Sequence, residues 1–403
     1  MKQVSALALL SCLAVAPGHA DTPAETSTER TEPPKDARGA DDGADQVSLE
    51  IHGRIMWDAD SYDGVLNQNH DGERSFNAHF RRARLELEGT AHRDFNYYLH
   101  VDFLDFGDDS RAEMHTVGLE YVGFEPFDIF VGRTKEPFGL EELSSSKALS
   151  SIERNYFTES TTADSQPFYG VRLDGMQGKV GWSAGLFNPN GNPQNDDGSD
   201  RIVFTGRVFG APIDNDASTL HFGLGVTERN IEDPFLVHGF RLDIAESGGE
   251  LDSRQILTDD IQALGIEGLY IDGPFSIQSE YFVVAFSGAE GGPDGKTRHL
   301  YLQGTWTLTG ERRGYKPYQG VYDIIEPEGN KGAVELVAKY DHLDFFVDGR
   351  PTQRVRGYLI GANWYVNRNV KLMINYVHVD SDNVVVSGPE TSDVLSTRVQ
   401  VAF

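Results

Sequence analysis

Two adjacent arginines, Arg81 and Arg82, stand in the strand-like segment 80–88 and have the chemistry to bind an anion. Apolar side chains alternate along this segment, which places Arg82 and Arg84 on the opposite, polar face. Arg81 breaks the alternation, so either a β-bulge turns it towards Arg82 or it lies above the apolar band. Adjacent guanidinium groups present fixed forks of donors that can replace the hydration shell of an oxyanion. The alternative is that these arginines only form ion pairs within the sheet, with Glu86, Glu88 or Asp102.

A long polar connection follows a predicted strand that ends at Arg133. Pro137 and Gly139 interrupt the strand pattern, and roughly 30 residues then show no alternation, which is too long for an ordinary hairpin loop. The connection continues through residues 144–147 (Ser-Ser-Ser-Lys) and ends at residues 153–155 (Glu-Arg-Asn). We predict that it folds into a pore.

The segments that must position these side chains share one design from Val47 onwards. About ten residues alternate between apolar and polar, and Gly, Pro, Asn or Asp clusters separate the segments. In the first strand one face carries Ile51, Ile55 and Trp57, and the other carries charged residues such as Arg54. No apolar run is long enough for a membrane helix, whereas a barrel strand exposes apolar groups only at alternate positions.

The segment 397–403 alternates strictly and ends on an aromatic residue. Val399, Val401 and Phe403 share one face, and Arg398 and Gln400 share the other. This pattern suits a strand with lipid on one side and water on the other, and aromatic residues recur near other strand ends as interfacial girdles do. We therefore predict an all-β fold, an antiparallel transmembrane β-barrel with inward-folded loops. The edge strand of a soluble sandwich is the alternative.

The number of strands must be even if both ends of the barrel lie on the periplasmic side. A first count gives 17 strands, including a candidate at 236–245, and the short turns at 90–94, 124–127, 175–178, 272–274 and 367–369 should share one side. That constraint turns residues 229–259 into a long outer loop and reduces the prediction to 16 strands. It also places the long connection 309–332 on the periplasmic side. A barrel of 16 strands encloses a wide aqueous channel, so we expect the long connections to fold inward and narrow it.

The regions outside the barrel have different signatures. Residues 1–20 resemble a secretory signal peptide, with an apolar run and small residues before Asp21. Cys12 lies within it, in a sequence that fits a lipidation box poorly. Residues 21–46 are polar and Pro-rich and are predicted to form a disordered leader. The barrel domain is predicted to span 47–403.

The formal net charge of −28 argues against a general attraction for anions and against a nucleic-acid partner, so the local basic clusters carry more information. Acidic loops such as 105–109 and 196–200 are interpreted as solvated faces, and neither a metal site nor a cofactor is assigned. An enzyme would need a nucleophile and a base. Glu141 with Glu142, or Ser145 with a distant His, has neither the spacing nor the context.

Short motifs in order along the chain resemble the phosphate-selective porin O/P family. They are residues 53–55 (Gly-Arg-Ile), 80–85 (Phe-Arg-Arg-Ala-Arg-Leu), 101–103 (Val-Asp-Phe), 135–141 (Lys-Glu-Pro-Phe-Gly-Leu-Glu), 144–147, 153–155, 273–278 (Gly-Pro-Phe-Ser-Ile-Gln), 280–281 (Glu-Tyr), 310–312 (Gly-Glu-Arg) and 315–317 (Tyr-Lys-Pro). The resemblance implies a trimeric 16-stranded channel in the outer membrane of a Gram-negative bacterium, with small anions such as phosphate and outer-membrane lipid as its partners. It further implies that two loops and one long periplasmic turn fold into the lumen.

The resemblance also implies which residues bind the anion at the constriction. These are Arg54, Arg81, Arg82, Ser145, Ser146 and Arg154, with Lys147 beside the serines. Three arginines of the long outer loop 229–259, the fifth loop in the family's order, are Arg229, Arg241 and Arg254, and the resemblance suggests that they contribute to an arginine-lined entry path.

One residue departs from the family pattern, because Glu142 stands where phosphate-specific members carry a lysine. At an effective dielectric constant near 20 and a distance of roughly 6 Å, this exchange could weaken a monovalent anion's site by up to about 5 kcal/mol. The cost is smaller if Glu142 points away, or pairs with Lys147 or Arg154. The expected function is passive diffusion of small anions, phosphate or polyphosphate above all. The alternatives are a porin of the same fold with relaxed or cation selectivity, and a structural barrel.

Overall fold

The computed structural model describes residues 47–64, 74–104, 111–160, 167–188, 202–237, 256–383 and 389–403. The predicted signal peptide and leader lie outside these ranges. The strands are β1 Glu50–Tyr62, β2 Ser75–His92, β3 Phe95–Leu104, β4 Arg111–Tyr121, β5 Asp128–Thr134, β6 Phe168–Gln177, β7 Val180–Asn188, β8 Ile202–Asp214, β9 Ser218–Val237, β10 Ile256–Asp272, β11 Phe275–Gly288, β12 Gly295–Thr307, β13 Arg313–Lys316, β14 Val321–Ile325, β15 Ala333–Val347, β16 Arg350–Tyr365, β17 Val370–Asn383 and β18 Pro389–Ala402.

Two short helices, α1 Leu140–Leu143 and α2 Tyr156–Ser160, follow β5. Among the residues that the structure describes, no helix is long and apolar enough to cross a membrane.

Sixteen of these strands close into one antiparallel barrel, which confirms the predicted architecture. Closure is made by β1 and β18, whose register runs from Arg54 opposite Ala402 to Tyr62 opposite Val394. The other two strands, β13 and β14, form a separate hairpin inside the connection between β12 and β15. In a closed barrel every strand is hydrogen-bonded on both sides, so no strand edge is left unpaired. The side chains must then suit the surroundings of the outer and the inner face.

Along most of the strands, side chains follow the alternation that the sequence predicts, with apolar groups outside and polar groups inside. Part of the inner face is apolar instead, where buried side chains of β1, β10, β11 and β15 to β18 pack with Phe138 and Phe157. Ile51, Ile55 and Trp57 are exposed on the outer face of β1, while Arg54 and Asp58 are buried on its inner face. The last strand behaves in the same way, since Val399, Val401 and Phe403 are exposed and Arg398 and Gln400 are buried. This distribution is the reverse of a soluble protein and suits an outer surface in contact with lipid.

All five predicted short turns join alternate strand pairs and therefore lie at one rim of the barrel, as expected. The connection 308–332 leaves from the same rim and contains β13 and β14. The predicted bounds of the long outer loop are wrong at both ends. β9 extends to Val237 and pairs with β10 from Ile256, so residues 229–237 and 256–259 are strand. Of the candidate strand 236–245, two residues belong to β9 and the rest lie outside the described residues.

A β-bulge at Arg81 shifts the phase of β2. Met56 of β1 lies opposite Arg82, and the next residue, Trp57, lies opposite Phe80, so Arg81 is the extra residue. Phe80 therefore faces outward and is half exposed, whereas unbroken alternation would turn it into the lumen. The bulge places both arginines on the inner side, as one of the two sequence interpretations predicts.

Deleting Arg81 should leave a folded barrel, because it removes only the unpaired residue and keeps every other side chain on its present face. Deleting Leu85, a regularly paired residue of the same strand, should abolish folding because it turns half of β2 inside out. The measurement is the heat-dependent shift in gel mobility after refolding into lipid vesicles. Equal folding yields for the two deletions would contradict the assigned bulge.

Candidate functional site

The connection after β5 turns into the lumen, and we call residues 135–157 the inward loop. Gly139 begins its first helix with a φ of 83°, a left-handed conformation that favours glycine. Leu140 and Leu149 are buried against the β13–β14 hairpin, in a cluster with Val321 and Tyr322. The inward loop and the long turn thus share one apolar centre inside the lumen.

Carboxylates hold the inward loop near its two ends, at Leu140 and at Tyr156. Glu280 of β11 accepts the backbone N–H groups of Leu140 and Glu141, at 2.5 and 3.0 Å. Within the loop, Glu141 accepts hydrogen bonds from Asn155, at 2.7 Å from its backbone N and 2.8 Å from its Nδ2. Asp341 of β15 accepts the backbone N–H of Tyr156 at 3.0 Å. These bonds satisfy backbone groups that would otherwise be buried without partners.

The middle of the inward loop is bound to β15, to β17 and to the long turn. The backbone N–H of Ile152 donates to Asn375 Oδ1 at 2.7 Å, and Ser150 donates to Glu335 at 2.9 Å. Arg313 of β13 donates to the carbonyl of Ala148 at 2.9 Å and pairs with Glu335. In the barrel order β15 lies eight strands from β5, so the inward loop crosses the lumen from β5 to the far wall.

At the end of this crossing, the carboxylate of Glu153 is surrounded by guanidinium groups. Arg81 donates to its two oxygens at 3.0 and 3.2 Å, Arg82 at 3.4 and 3.2 Å, and Arg398 of β18 at 2.6 Å. Burial by itself raises the pKa of Glu153, but the charges of Arg81, Arg82 and Arg398 hold that pKa well below its ordinary value. Glu153 is an ionised carboxylate, 1% exposed.

The other predicted anion ligands lie next to this cluster. Arg54 donates to Ser146 Oγ at 2.8 Å and to Ser145 Oγ at 3.2 Å, and its other nitrogen pairs with Glu86. Lys147 is half-buried beside the serines. The structure thus brings Arg54 and the two serines together.

Arg154 and Glu142 occupy a neighbouring part of the inward loop. Arg154 donates to the carbonyl oxygens of Glu141 and Ser144 at 3.1 and 2.9 Å, and lies 3.5 Å from Glu142. Glu142 also pairs with Lys135 at the start of the loop. Burial lowers the pKa of Lys135 to about 8, and the Glu142 carboxylate opposes this shift. Of the orientations left open for Glu142, pairing with Arg154 is the one observed, with Lys135 as a second cation.

The three arginines assigned to an entry path divide into two groups. Arg229 lies in β9, where it pairs with Glu136 of the inward loop, whose carboxylate also accepts Thr205 at 2.6 Å and Thr227 at 2.9 Å. Arg229 therefore tethers the loop from the wall instead of standing in an outer loop. Arg241 and Arg254 lie outside the described residues.

The interpretation that inward arginines only form pairs within the sheet holds for Arg84. It donates to Asp102 on the neighbouring strand at 2.7 Å. Arg81 and Arg82 bind the inward loop instead. Sequence reasoning missed Glu153 as their partner and missed Arg398, although the alternation already places Arg398 on the inner face of β18. The available signal was that Arg398 faces inward with no acidic residue among its immediate neighbours in sequence, so it needs a partner from another segment.

Comparison with known proteins agrees with this architecture. The sequence matches the phosphate-selective porin O and P family over residues 49–403. Porin O of Pseudomonas aeruginosa is 30% identical over 398 residues, which cover 89% of this chain and 89% of that protein.

Two solved structures share the fold at low sequence identity. An anion-selective porin from Comamonas acidovorans has a TM-score of 0.55 at 13% identity, covering 89% of this chain and 100% of that one. The trimer form of Vibrio cholerae OmpT, an outer membrane protein, has a TM-score of 0.57 at 12% identity, covering 89% of this chain and 100% of that one. The chain therefore belongs to the phosphate-selective porin O and P family and is an outer-membrane porin of a Gram-negative bacterium.

Proposed function

We propose that this porin carries small anions, phosphate or polyphosphate foremost, by passive diffusion through a constriction made by the inward loop and the arginine cluster Arg54, Arg81, Arg82 and Arg398. The observation that carries the proposal is the bulge at Arg81, which sets two adjacent guanidinium groups on the lumen wall. With Arg398 they already bind an oxyanion, the carboxylate of Glu153. Guanidinium forks match carboxylate and phosphate geometry alike.

Accessibility within the cluster differs from one arginine to the next. The Arg81 side chain is 24% exposed, compared with 9% for Arg82 and 1% for Arg398. An anion in the lumen therefore reaches Arg81 first, while the two more deeply buried arginines hold Glu153. Binding through one partly shared guanidinium is weak enough to permit release, which conduction requires.

The serine hydroxyls provide a second set of ligands. Ser145 and Ser146 accept hydrogen bonds from Arg54 through their oxygens. A hydroxyl that accepts still has one proton to donate. We propose that these protons point to the permeating anion, with Lys147 adding positive charge beside them.

The pairing of Glu142 supports an anion channel over a cation channel. Its carboxylate is compensated by Lys135 and Arg154, so it opposes an anion less than an unpaired carboxylate would. We propose a channel and not an enzyme, acting without a cofactor. We also propose a homotrimer, since the similar OmpT structure is a trimer form.

Replacing Arg81 by alanine should weaken the block of chloride current by phosphate about tenfold, a loss of about 1.4 kcal/mol. Such a loss is typical of one charge-assisted hydrogen-bonding group. Single-channel recording in planar bilayers with increasing phosphate gives the block constant for each variant.

Arg84→Ala is the matched control, because Arg84 is an inward arginine of the same strand that pairs with Asp102. It should change the phosphate block less than twofold. Equal effects of the two substitutions, or cation selectivity of the unmodified channel without phosphate block, would overturn the anion site. Absence of any conductance would overturn the channel.

Chloride selectivity should fall as the pH rises through about 8, the pKa of Lys135. Below that pH the ammonium compensates Glu142, and above it one positive charge is lost while the carboxylate remains. The reversal potential in a KCl gradient between pH 7 and pH 9.5 measures this without interference from phosphate's own titration.

In Lys135→Gln the selectivity should be lower and flat across this range. Lys179→Gln is the control, since Lys179 is exposed at the periplasmic rim and bonds to the carbonyl of Pro212. A transition near pH 8 that survives in Lys135→Gln would assign the titration to another group.

A further inference from the structure

A second cluster of charged side chains lies on the wall formed by β1 and β2. It begins at Asp58, two residues after Met56, which lies opposite Arg82. Asp58 and Asp60 of β1 and His79 of β2 each contribute one ligand atom, and these atoms lie within 4.8 Å of one another. His79 faces the lumen only because the bulge at Arg81 shifts the phase of β2, so that it lies opposite Asp58 in the sheet register.

Among the described residues, Asp60 is the carboxylate of this cluster that has no ion pair, whereas Asp58 pairs with Arg398. Asp60 is 1% exposed, and neither of its carboxylate oxygens has a hydrogen bond in the described structure. Both ring nitrogens of His79 are likewise buried and lack a hydrogen bond. Ser396 lies opposite Asp60 on β18, and its buried hydroxyl is close to that carboxylate but outside hydrogen-bond geometry. Buried polar groups are normally paired, and a buried carboxylate above all needs a compensating cation.

The third member is held in place by an arginine. Asp58 accepts Arg398 Nε at 2.7 Å and a terminal nitrogen of Arg398 at 2.6 Å. A carboxylate has about four lone-pair positions, so Asp58 can bind Arg398 and still offer an oxygen to a metal ion. An outer partner of this kind orients a metal ligand. The same terminal nitrogen of Arg398 also donates to Glu153, whose carboxylate compensates the guanidinium charge.

We propose that Asp58, Asp60 and His79 bind a divalent transition-metal ion such as Zn²⁺. Two carboxylate oxygens and one imidazole nitrogen form a donor set that suits zinc and related ions, whereas Mg²⁺ and Ca²⁺ prefer oxygen alone. The ligand atoms of a tetrahedral zinc ion lie about 3.4 Å apart, so zinc binding must draw these three side chains closer together.

Zinc binding to the folded, untagged protein in detergent tests the proposal. Equilibrium dialysis against Zn²⁺ is carried out with millimolar Mg²⁺ present, which occupies the carboxylate-only sites of the acidic surface. We expect one zinc ion per chain with a micromolar dissociation constant, weakened at least tenfold in Asp60→Asn and in His79→Gln. The heat-dependent shift in gel mobility shows whether each variant has folded.

His52→Gln is the matched control, because it removes an imidazole from the other end of β1, where His52 contacts Glu50. Zinc binding should be unchanged in this variant. Wild-type protein that binds no more zinc than Asp60→Asn would overturn the proposal and leave a proton as the counter-charge of Asp60. Unchanged binding in a folded His79→Gln would overturn it as well. Neither outcome depends on which solute the channel carries.

Discussion

The buried carboxylate of Glu153 is the contact on which the shape of the lumen depends. Three guanidinium groups from β2 and β18 converge on it, so one ion cluster joins the inward loop to the two strands that flank β1. Removing one partner from such a cluster leaves an uncompensated buried charge, which costs several kcal/mol. The inward loop is therefore held at this point by the high cost of leaving a guanidinium or a carboxylate alone in a low-dielectric interior.

The bulge at Arg81 supplies the geometry for that contact. One extra residue turns an arginine inward and reverses the phase of the strand beyond it, which keeps Phe80 on the lipid side and brings His79 to the lumen. The arginine cluster and the Asp58–Asp60–His79 cluster thus have a common origin. The bulge adds an inward residue directly beside another, whereas strict alternation separates adjacent residues onto opposite faces.

The inward loop and the β13–β14 hairpin depend on each other. Arg207 of β8 donates to the carbonyl oxygens of Gln319 and Gly320 in the hairpin at 2.8 and 2.7 Å and pairs with Glu267 of β10. The hairpin in turn provides the apolar surface that buries Leu140 and Leu149. Two segments from opposite rims therefore narrow this barrel together. The backbone groups of each are satisfied by side chains of the other segment or of the wall.

The sequence by itself determined the sixteen-stranded barrel, the lipid-facing residues and the long connections, because an alternating pattern and turn residues are local properties. It also limited Arg81 to two positions. Only the tertiary structure decided between these two positions. It also paired Glu153 with three arginines and Glu142 with Lys135 and Arg154, and it left Asp60 buried without an ion pair. These features depend on strand register and on loop placement across the lumen. They join residues that are far apart in the chain, such as Asp58 and Arg398, which are 340 residues apart. No local sequence pattern encodes such a pairing.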